Sequence, residues 1–238
     1  MITSSQRQLF INKGYGIIDD VYSISEMSLI SNCISDYSKS INHKDNKDLF
    51  AIRQLLNVIP DLKCHLLNKN LRAILNQFYN SNYFLTKAIY FDKPPTSNWF
   101  VPYHQDLSVS VNSKSDLIGY SNWTFKAGQY GVQPPIEFLE RTITVRIHLD
   151  NTKLENGALR IIPHSHNKGV IRKQSDAWNL DNETVCDVNK GGIMLMKPLL
   201  LHASSKTTNN KRRRVIHLEF NDKLLDYPLK WLEYHSLN

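Results

Sequence analysis

The first third of the chain has apolar residues at the spacing of amphipathic helices. Ser23 and Glu26 have the spacing of a capping box, which marks the start of a helix. Apolar side chains then recur three and four positions apart: Met27, Ile30, Cys33, Ile34, Tyr37 and Ile41. Further helical stretches are predicted around 52–58 and over 60–78, the second interrupted near 68–70. The pattern therefore predicts a helical N-terminal part, about residues 1–82.

From residue 83 the pattern changes to short runs of β-favouring residues, many of them alternating apolar and polar, which are typical of β-strands. Strands are predicted at 83–91, 100–110, 141–150, 158–162, 193–196, 199–203 and 213–220. Residues 111–139 hold several glycines and prolines and no such pattern. We expect a long irregular loop there, of the kind that serves as a lid. A polar connection near Trp178 is expected to form a short helix.

Short strands separated by Gly and Pro, after a helical start, predict a fold that is mainly β with α. We expect a double-stranded β-helix, the jelly-roll or cupin-like core, over about residues 83–222, with the helical N-terminal part packed outside it. A chain of 238 residues with 41% hydrophobic residues can bury a sizeable core as one domain. The prediction is therefore a single domain over residues 1–238.

Charge and cysteine content narrow the classes of partner. The formal net charge is +7, but the basic residues are spread along the chain apart from the run 211–214, which has no interleaved aromatic residues. We therefore expect no nucleic-acid partner. No apolar run approaches the ~18–20 residues of a bilayer span, so we expect no membrane partner either. The three scattered cysteines predict reduced thiols and a cytoplasmic protein. The basic balance favours an anionic small-molecule substrate and leaves the oligomeric state open.

The residues that carry chemistry begin with His104 and Asp106, two positions apart in a predicted strand. Side chains at i and i+2 project to the same side of a strand, so an imidazole and a carboxylate would lie together. One more histidine completes a facial set that leaves open positions on a ferrous ion, and His202 is the candidate. Arg213 offers a cationic fork for the distal carboxylate of a 2-oxo acid. Alone, the first pair is equally typical of a structural His beside a solvated Asp.

Four ordered segments of the chain also carry a family pattern. They are Phe-Asp-Lys-Pro-Pro leading to Pro-Tyr-His-Gln-Asp-Leu (91–107), Leu-Glu-Arg-Thr-Ile-Thr-Val-Arg-Ile-His-Leu-Asp (139–150), Glu-Asn-Gly-Ala-Leu-Arg-Ile-Ile-Pro-His-Ser-His (155–166), and Leu-His-Ala-Ser-Ser through Arg-Arg-Arg-Val-Ile-His-Leu-Glu-Phe (201–220). In the third segment His164 stands where glycine is usual. Together the segments resemble the phytanoyl-CoA dioxygenase family of Fe(II)- and 2-oxoglutarate-dependent oxygenases.

The resemblance implies a set of site residues by position. Iron would be held by His104, Asp106 and His202. The implied contacts to 2-oxoglutarate are Arg213 at its C5 carboxylate, Ser204 near the same end, Gln105 and Trp123. Arg214 is the competitor for the carboxylate, because alternation along a strand lets only one of the two arginines face the cavity.

The implied reaction uses Fe(II), 2-oxoglutarate and O2. Oxidative decarboxylation of 2-oxoglutarate to succinate and CO2 is coupled to hydroxylation of a small-molecule substrate. A carboxylate at Asp106 favours hydroxylation, because related halogenases have a small residue there. Two other interpretations remain open: a non-catalytic jelly-roll or cupin-like binding protein, and a metal-dependent cupin enzyme that does not use 2-oxoglutarate. Neither requires the full set of triad and Arg213.

Four further polar residues could belong to the site. Arg146 and His148 share one face of the predicted strand 141–150 and are candidates for lining a substrate pocket; the alternative is that they pair with nearby carboxylates as structural residues. His217 and Glu219 either orient a metal ligand or form a polar pair in the core.

Overall fold

The computed structural model describes residues 2–42, 51–79, 82–94, 99–171 and 182–237. In these ranges the chain forms six α-helices and fourteen β-strands. The helices are α1 (Ser4–Lys13), α2 (Ile24–Asn42), α3 (Leu55–Val58), α4 (Leu62–Leu66), α5 (Lys69–Tyr79) and α6 (Ile136–Arg141). The strands are β1 (Tyr15–Ile18), β2 (Ala51–Arg53), β3 (Phe84–Lys93), β4 (Val101–His104), β5 (Val109–Val111), β6 (Ser121–Lys126), β7 (Gln129–Gln133), β8 (Ile143–His148), β9 (Leu159–Ile161), β10 (Thr184–Cys186), β11 (Ile193–Met196), β12 (His202–Ser204), β13 (Arg213–Asn221) and β14 (His235–Ser236). The helix expected near Trp178 lies outside the described residues.

The predicted capping box forms at the start of α2. The Ser23 N–H donates to the Glu26 carboxylate (2.7 Å), and the Glu26 N–H donates to the Ser23 hydroxyl oxygen (3.2 Å). Met27, Ile30 and Ile34 are buried along one face of the helix, so its predicted amphipathic pattern is confirmed. No helix in the described ranges is long and apolar enough to span a bilayer.

The interruption expected near 68–70 is also present, since α4 ends at Leu66 and α5 begins at Lys69. The helix predicted around 52–58 is wrong at its start. Residues 51–53 form β2, which pairs with β3, and only α3 is helical. β1 likewise pairs with β11, and β14 pairs with β3 beyond residue 222. These strands have two to four residues each, too few to show an alternating pattern in the sequence.

Eleven of the fourteen strands form two sheets that enclose a shared interior. The major sheet has the order β1-β11-β8-β13-β3-β14, with β2 also paired to β3, and the minor sheet has the order β10-β9-β12-β4. All their pairs are antiparallel. Apolar residues of both sheets meet in one cluster, including Leu159 and Ile161 of the minor sheet and Met194 and Met196 of the major sheet. This is the expected jelly-roll core.

The two faces of the major sheet have different neighbours. On β13, Ile216, Leu218 and Phe220 belong to the large apolar cluster shared with the N-terminal helices. The intervening residues Arg213 and His217 line a cavity between the sheets instead. Because side chains alternate along a strand, one strand supplies both the hydrophobic core and the polar interior. The helices therefore pack outside the jelly roll, as predicted.

The region 111–139 differs from the expected irregular loop. β5, β7 and β6 form a third antiparallel sheet, and α6 follows it. Ala127 and Gly128 connect β6 to β7 with positive φ angles of 49° and 73°, as in a tight two-residue hairpin turn. Five of the six residues of β6 are exposed. A strand with most of its residues in solvent shows little alternation of apolar and polar residues, which explains the wrong prediction.

Candidate metal centre

Strand pairing brings together two histidines that lie far apart in the chain. β4 and β12 are antiparallel neighbours, with His104 directly opposite His202. The centroids of the two imidazole rings are 4.2 Å apart, and both side chains line the cavity between the sheets.

Asp106 joins them from just beyond the end of β4. The sequence predicted it on the same strand as His104, but its N–H donates to the Pro198 carbonyl (2.9 Å) rather than within a strand. Its carboxylate still reaches the same side of the chain. Oδ1 lies 3.7 Å from His104 Nε2, and Oδ2 lies 3.8 Å from His202 Nε2. One ligand atom from each residue lies within 4.8 Å of the other two.

The backbone fixes which ring nitrogen of each histidine faces the centre. His104 Nδ1 lies 2.9 Å from the Pro102 carbonyl oxygen, and His202 Nδ1 lies 2.9 Å from the Leu200 carbonyl oxygen. A carbonyl only accepts, so these contacts assign the ring proton to Nδ1 in both residues. Both Nε2 lone pairs are then free to bind a metal ion.

Electrostatics keeps two of these groups in the forms that bind metals. Burial lowers the pKa of His202 to about 4, so its imidazole is neutral near pH 7. Burial opposes ionisation of Asp106, but the nearby imidazoles, His202 first among them, hold its pKa below the ordinary value. A neutral imidazole and an ionised carboxylate bind a metal without first losing a proton.

The donor set fits a ferrous ion. Two imidazole nitrogens and one carboxylate oxygen form the 2-His-1-carboxylate arrangement, which leaves positions free on the metal for other ligands. The cavity beside the three residues has a volume of about 250 Å³. It is lined by Phe91, Lys93, Trp99, Val101, His104, Asp106, Arg146, Leu159, His202, Ser204, Arg213, Val215 and His217.

Arg213 is the predicted carboxylate partner, and it faces this cavity. Its side chain is buried, Nη1 donates to the Gly157 carbonyl, and Nε has no hydrogen-bond partner among the described residues. Burial and the charge of Arg146 lower its pKa. A buried guanidinium with an unused donor suits a bound carboxylate. Arg214 does not compete for this role, because Asp150 binds its Nε (2.9 Å) and Nη2 (2.7 Å).

Lys93 belongs to the same end of the cavity, although sequence analysis did not select it. It lies directly opposite Arg213 in the β3–β13 pair. Its Nζ donates to the carbonyls of Trp99 (3.0 Å) and Ser205 (2.7 Å), and burial lowers its pKa to about 8. No signal in its own segment marks it, because its position depends on the pairing of β3 with β13. Ser204 also lines this end, as predicted, and its hydroxyl donates to the Gly157 carbonyl (2.9 Å).

Other predicted site residues divide between the cavity and the surrounding structure. Arg146 and His217 line the cavity, and Glu219 binds His217 Nε2 (2.9 Å) from beside it. His148 is buried with Nδ1 2.7 Å from the Thr152 hydroxyl and is not part of the lining.

Gln105 and Trp123 do not reach the cavity. The Gln105 side chain binds backbone on the other face of the chain: its amide nitrogen donates to the carbonyls of Gly169 (2.9 Å) and Leu199 (2.6 Å), and its oxygen accepts from the Ile171 N–H (2.8 Å). Trp123 lies on β6 and packs against the apolar cluster of the third sheet. Gln105 faces away from the cavity because it lies between His104 and Asp106, and neighbouring side chains point in opposite directions. Trp123 lies outside the cavity because its segment folds into the β6–β7 hairpin.

A family model named phytanoyl-CoA dioxygenase (PhyH) matches residues 14–215, which include all of these cavity residues except His217. The chain belongs to the phytanoyl-CoA dioxygenase family. Fe(II), 2-oxoglutarate and O2 are the cofactors of this family, and they fit the donor set and the buried arginine described above. The resemblance seen in the sequence is confirmed.

Three proteins illustrate how this family member compares with known ones. The mouse phytanoyl-CoA dioxygenase domain-containing protein 1 is 27% identical over 159 residues; the match covers 56% of this chain and 55% of the mouse protein, so the chain spans about half the length of that relative. EctD from S. alaskensis in its apoform has a TM-score of 0.72 at 16% identity, covering 95% of this chain and 80% of EctD. EvdO2 from Micromonospora carbonacea var. aurantiaca, complexed with 2-oxoglutarate, has a TM-score of 0.68 at 16% identity, covering 98% of both chains. The structural likeness supports the shared fold.

Gly157 is predicted to be the residue at this site least tolerant of a side chain. Its φ is 85°, and an added Cβ would lie 2.9 Å from the Ser205 carbonyl oxygen and 3.1 Å from Lys93 Nζ. We expect Gly157→Ala to lower the free energy of unfolding by more than the roughly 1–2 kcal/mol that a left-handed conformation costs an L-residue. Urea denaturation measures this difference.

Gly128→Ala is the matched control, because Gly128 has a φ of 73° and no atom within 4 Å of an added Cβ. The difference between the two variants isolates the steric contribution at Gly157. Equal losses of stability would show that the backbone around Gly157 yields without cost.

Proposed function

We propose that this protein is an Fe(II)- and 2-oxoglutarate-dependent dioxygenase that hydroxylates a small-molecule substrate and releases succinate and CO2. The observation that carries the proposal is the convergence of His104, Asp106 and His202 in one cavity with Arg213, a buried cation that no described carboxylate binds. Membership of the phytanoyl-CoA dioxygenase family supports the same activity.

The triad would hold the metal, and the protein fixes the geometry of this set before the ion binds. Both histidines are oriented by hydrogen bonds from Nδ1 to the carbonyl two residues earlier in the chain, and the backbone of Asp106 is held by Pro198. Bound Fe(II) would supply the activation of O2 and the oxidative decarboxylation of 2-oxoglutarate. Asp106 favours hydroxylation as the outcome, because its carboxylate takes the position that halogenases leave for chloride.

Arg213 would bind the distal carboxylate of 2-oxoglutarate, with the Lys93 ammonium and the Ser204 hydroxyl beside it. Gly157 aligns two of these groups, since its carbonyl accepts from both Arg213 and Ser204. The enclosing apolar side chains of Phe91, Leu159 and Val215 would limit the access of water to the reacting atoms. This chain's residues thus bind, orient and shield the co-substrate.

Two alternatives make different use of the same cavity. A binding protein without catalysis would not consume 2-oxoglutarate, and a metal-dependent cupin enzyme of another kind would act without it. Iron-dependent formation of succinate from 2-oxoglutarate separates the proposed activity from both. No specific feature of the cavity favours either alternative over the proposal.

His104→Ala and Asp106→Ala are each expected to abolish the formation of succinate, because each removes one of three metal ligands. Anaerobic titration with Fe(II) should also show loss of metal binding. The matched control is His164→Gly: His164 is exposed, lies outside the cavity, and has a φ of 66° that glycine adopts without strain. Normal succinate formation in either ligand variant would refute the assignment of the metal site.

Arg213→Gln is expected to raise the Kd for 2-oxoglutarate by roughly tenfold or more, because a charge-assisted hydrogen bond to a carboxylate contributes about 1.5–3 kcal/mol. Calorimetric titration of the metal-loaded protein measures this change. Arg214→Gln is the control, because it removes a positive charge that Asp150 neutralises outside the cavity. Its Kd for 2-oxoglutarate should stay within about twofold of the wild-type value. A larger effect in the control would place the carboxylate site one residue later.

Lys93 should make the binding of 2-oxoglutarate depend on pH. Because its pKa is lowered to about 8, Lys93 is cationic below that pH and loses its charge above it. The Kd for 2-oxoglutarate should therefore rise several-fold between about pH 7 and pH 9, as an attractive charge is lost. Calorimetry across this range should show a flatter dependence for Lys93→Met. Identical pH profiles in the two proteins would rule out a contribution of Lys93.

A further inference from the structure

A second buried guanidinium, that of Arg146, lies inside the cavity. The residue is 8% exposed and lines the same space as the triad and Arg213. In the β8–β13 pair it is directly opposite His217, and in the β11–β8 pair it is opposite Met194. Its position on the inner face of the major sheet is therefore set by strand register.

The hydrogen bonds of Arg146 leave most of its donors unused. Nη1 lies 3.4 Å from His217 Nδ1, at the long limit of a hydrogen bond, and Nε has no partner among the described residues. His217 Nε2 lies 2.9 Å from a Glu219 carboxylate oxygen, which also accepts from Lys87 Nζ (2.8 Å). These contacts orient the His217 ring, with Nε2 toward Glu219 and Nδ1 toward Arg146. The charge of Glu219 is already balanced by Lys87.

The charges that line the cavity do not balance. Lys93, Arg146 and Arg213 are cations, and Asp106 is the one carboxylate among the described lining residues. In the proposed enzyme Asp106 is a metal ligand, so its charge is shared with the ion. Bound 2-oxoglutarate would place one carboxylate at the metal and the other at Arg213 and Lys93. Arg146 keeps its long contact to His217 but has no ion pair with a described carboxylate, a costly state for a buried cation that a bound anion would relieve.

We infer that the primary substrate is a compact carboxylic acid whose carboxylate is bound by Arg146 next to the metal centre. This inference rests on the proposed dioxygenase function. A guanidinium binds a carboxylate through two parallel hydrogen bonds and so fixes its orientation as well as its position. A volume of about 250 Å³, shared with 2-oxoglutarate, is below the ~300–1,000 Å³ typical of sites for drug-sized ligands. A space of this size beside the metal centre suits a small acid.

The same chemistry could come from the 1-carboxylate of 2-oxoglutarate, and the experiment has to separate the two sources. The wild type and Arg146→Gln, both loaded with Fe(II) under anaerobic conditions, are first titrated with 2-oxoglutarate by calorimetry. Both proteins, saturated with 2-oxoglutarate, are then titrated with acetate, lactate, glutamate and 3-phenylpropionate, and with the amide that replaces the carboxylate of each. Arg141→Gln controls for the loss of one positive charge, because Arg141 is exposed and paired with Asp222 outside the cavity.

The inference requires that in the wild type at least one acid binds tenfold more tightly than its amide. Arg146→Gln should remove this preference while its Kd for 2-oxoglutarate stays within about twofold of the wild type. A tenfold weaker binding of 2-oxoglutarate in Arg146→Gln would assign the arginine to the co-substrate and overturn the inference. Equal binding of all acids and amides to the wild type would also overturn it. Failure of the wild type to bind 2-oxoglutarate with iron would refute the proposed function instead.

A second measurement separates a substrate ligand from a structural arginine. If Arg146 serves to bind an anion, its buried charge destabilises the ligand-free protein. Arg146→Met without ligands should then unfold at the same temperature as the wild type or at a higher one. A clear fall in Tm, or a variant that does not fold, would show that Arg146 supports the fold and would overturn the inference. Arg146→Lys, which keeps the charge, should keep part of the preference for acids over amides.

Discussion

The pairing of β4 with β12 is the interaction on which the whole candidate site depends. It sets His104 opposite His202 across almost a hundred residues of sequence, and no local segment could form this contact by itself. The third ligand depends on the same closure, because the backbone of Asp106 is bound by Pro198, which precedes β12 by a few residues. Long-range strand pairing of this kind forms only when the jelly roll itself forms. A metal ion bound by the three residues would therefore stabilise the folded state.

The alternation of side chains along the major sheet lets a charged interior coexist with a stable fold. On β13, one set of alternate residues packs into the apolar cluster beneath the N-terminal helices, and the other set faces the cavity. Burying Arg146 and Arg213 without carboxylate partners lowers stability. The apolar face of the same strands, covered by helices, offsets that loss. The helical N-terminal part is thus what allows the inner face to carry unpaired charge.

The convergence of His104, Asp106, His202 and Arg213 on one cavity could be predicted, because short sequence patterns mark all four residues. Other contacts between residues on different strands could not be predicted in this way. Lys93 is a site residue only because β3 pairs with β13, and nothing in its own segment distinguishes it from the other lysines. Gln105 has the polarity of a site residue, but its amide is used by backbone of other segments. Trp123 lies outside the cavity because its strand belongs to the third sheet, where its side chain packs against an apolar cluster.

The facing positions of Lys93 and Arg213 link the stability of the native state to a ligand bound between them. Like charges directly opposite each other on neighbouring strands repel, and here both are shielded from solvent. A dianionic metabolite bound at this end would neutralise the repulsion, and it would stabilise the native state in proportion to the logarithm of its concentration. Scarcity of that metabolite would then enlarge the unfolded fraction that proteases degrade. Because of this charge repulsion, the abundance of the protein would rise and fall with the concentration of the metabolite.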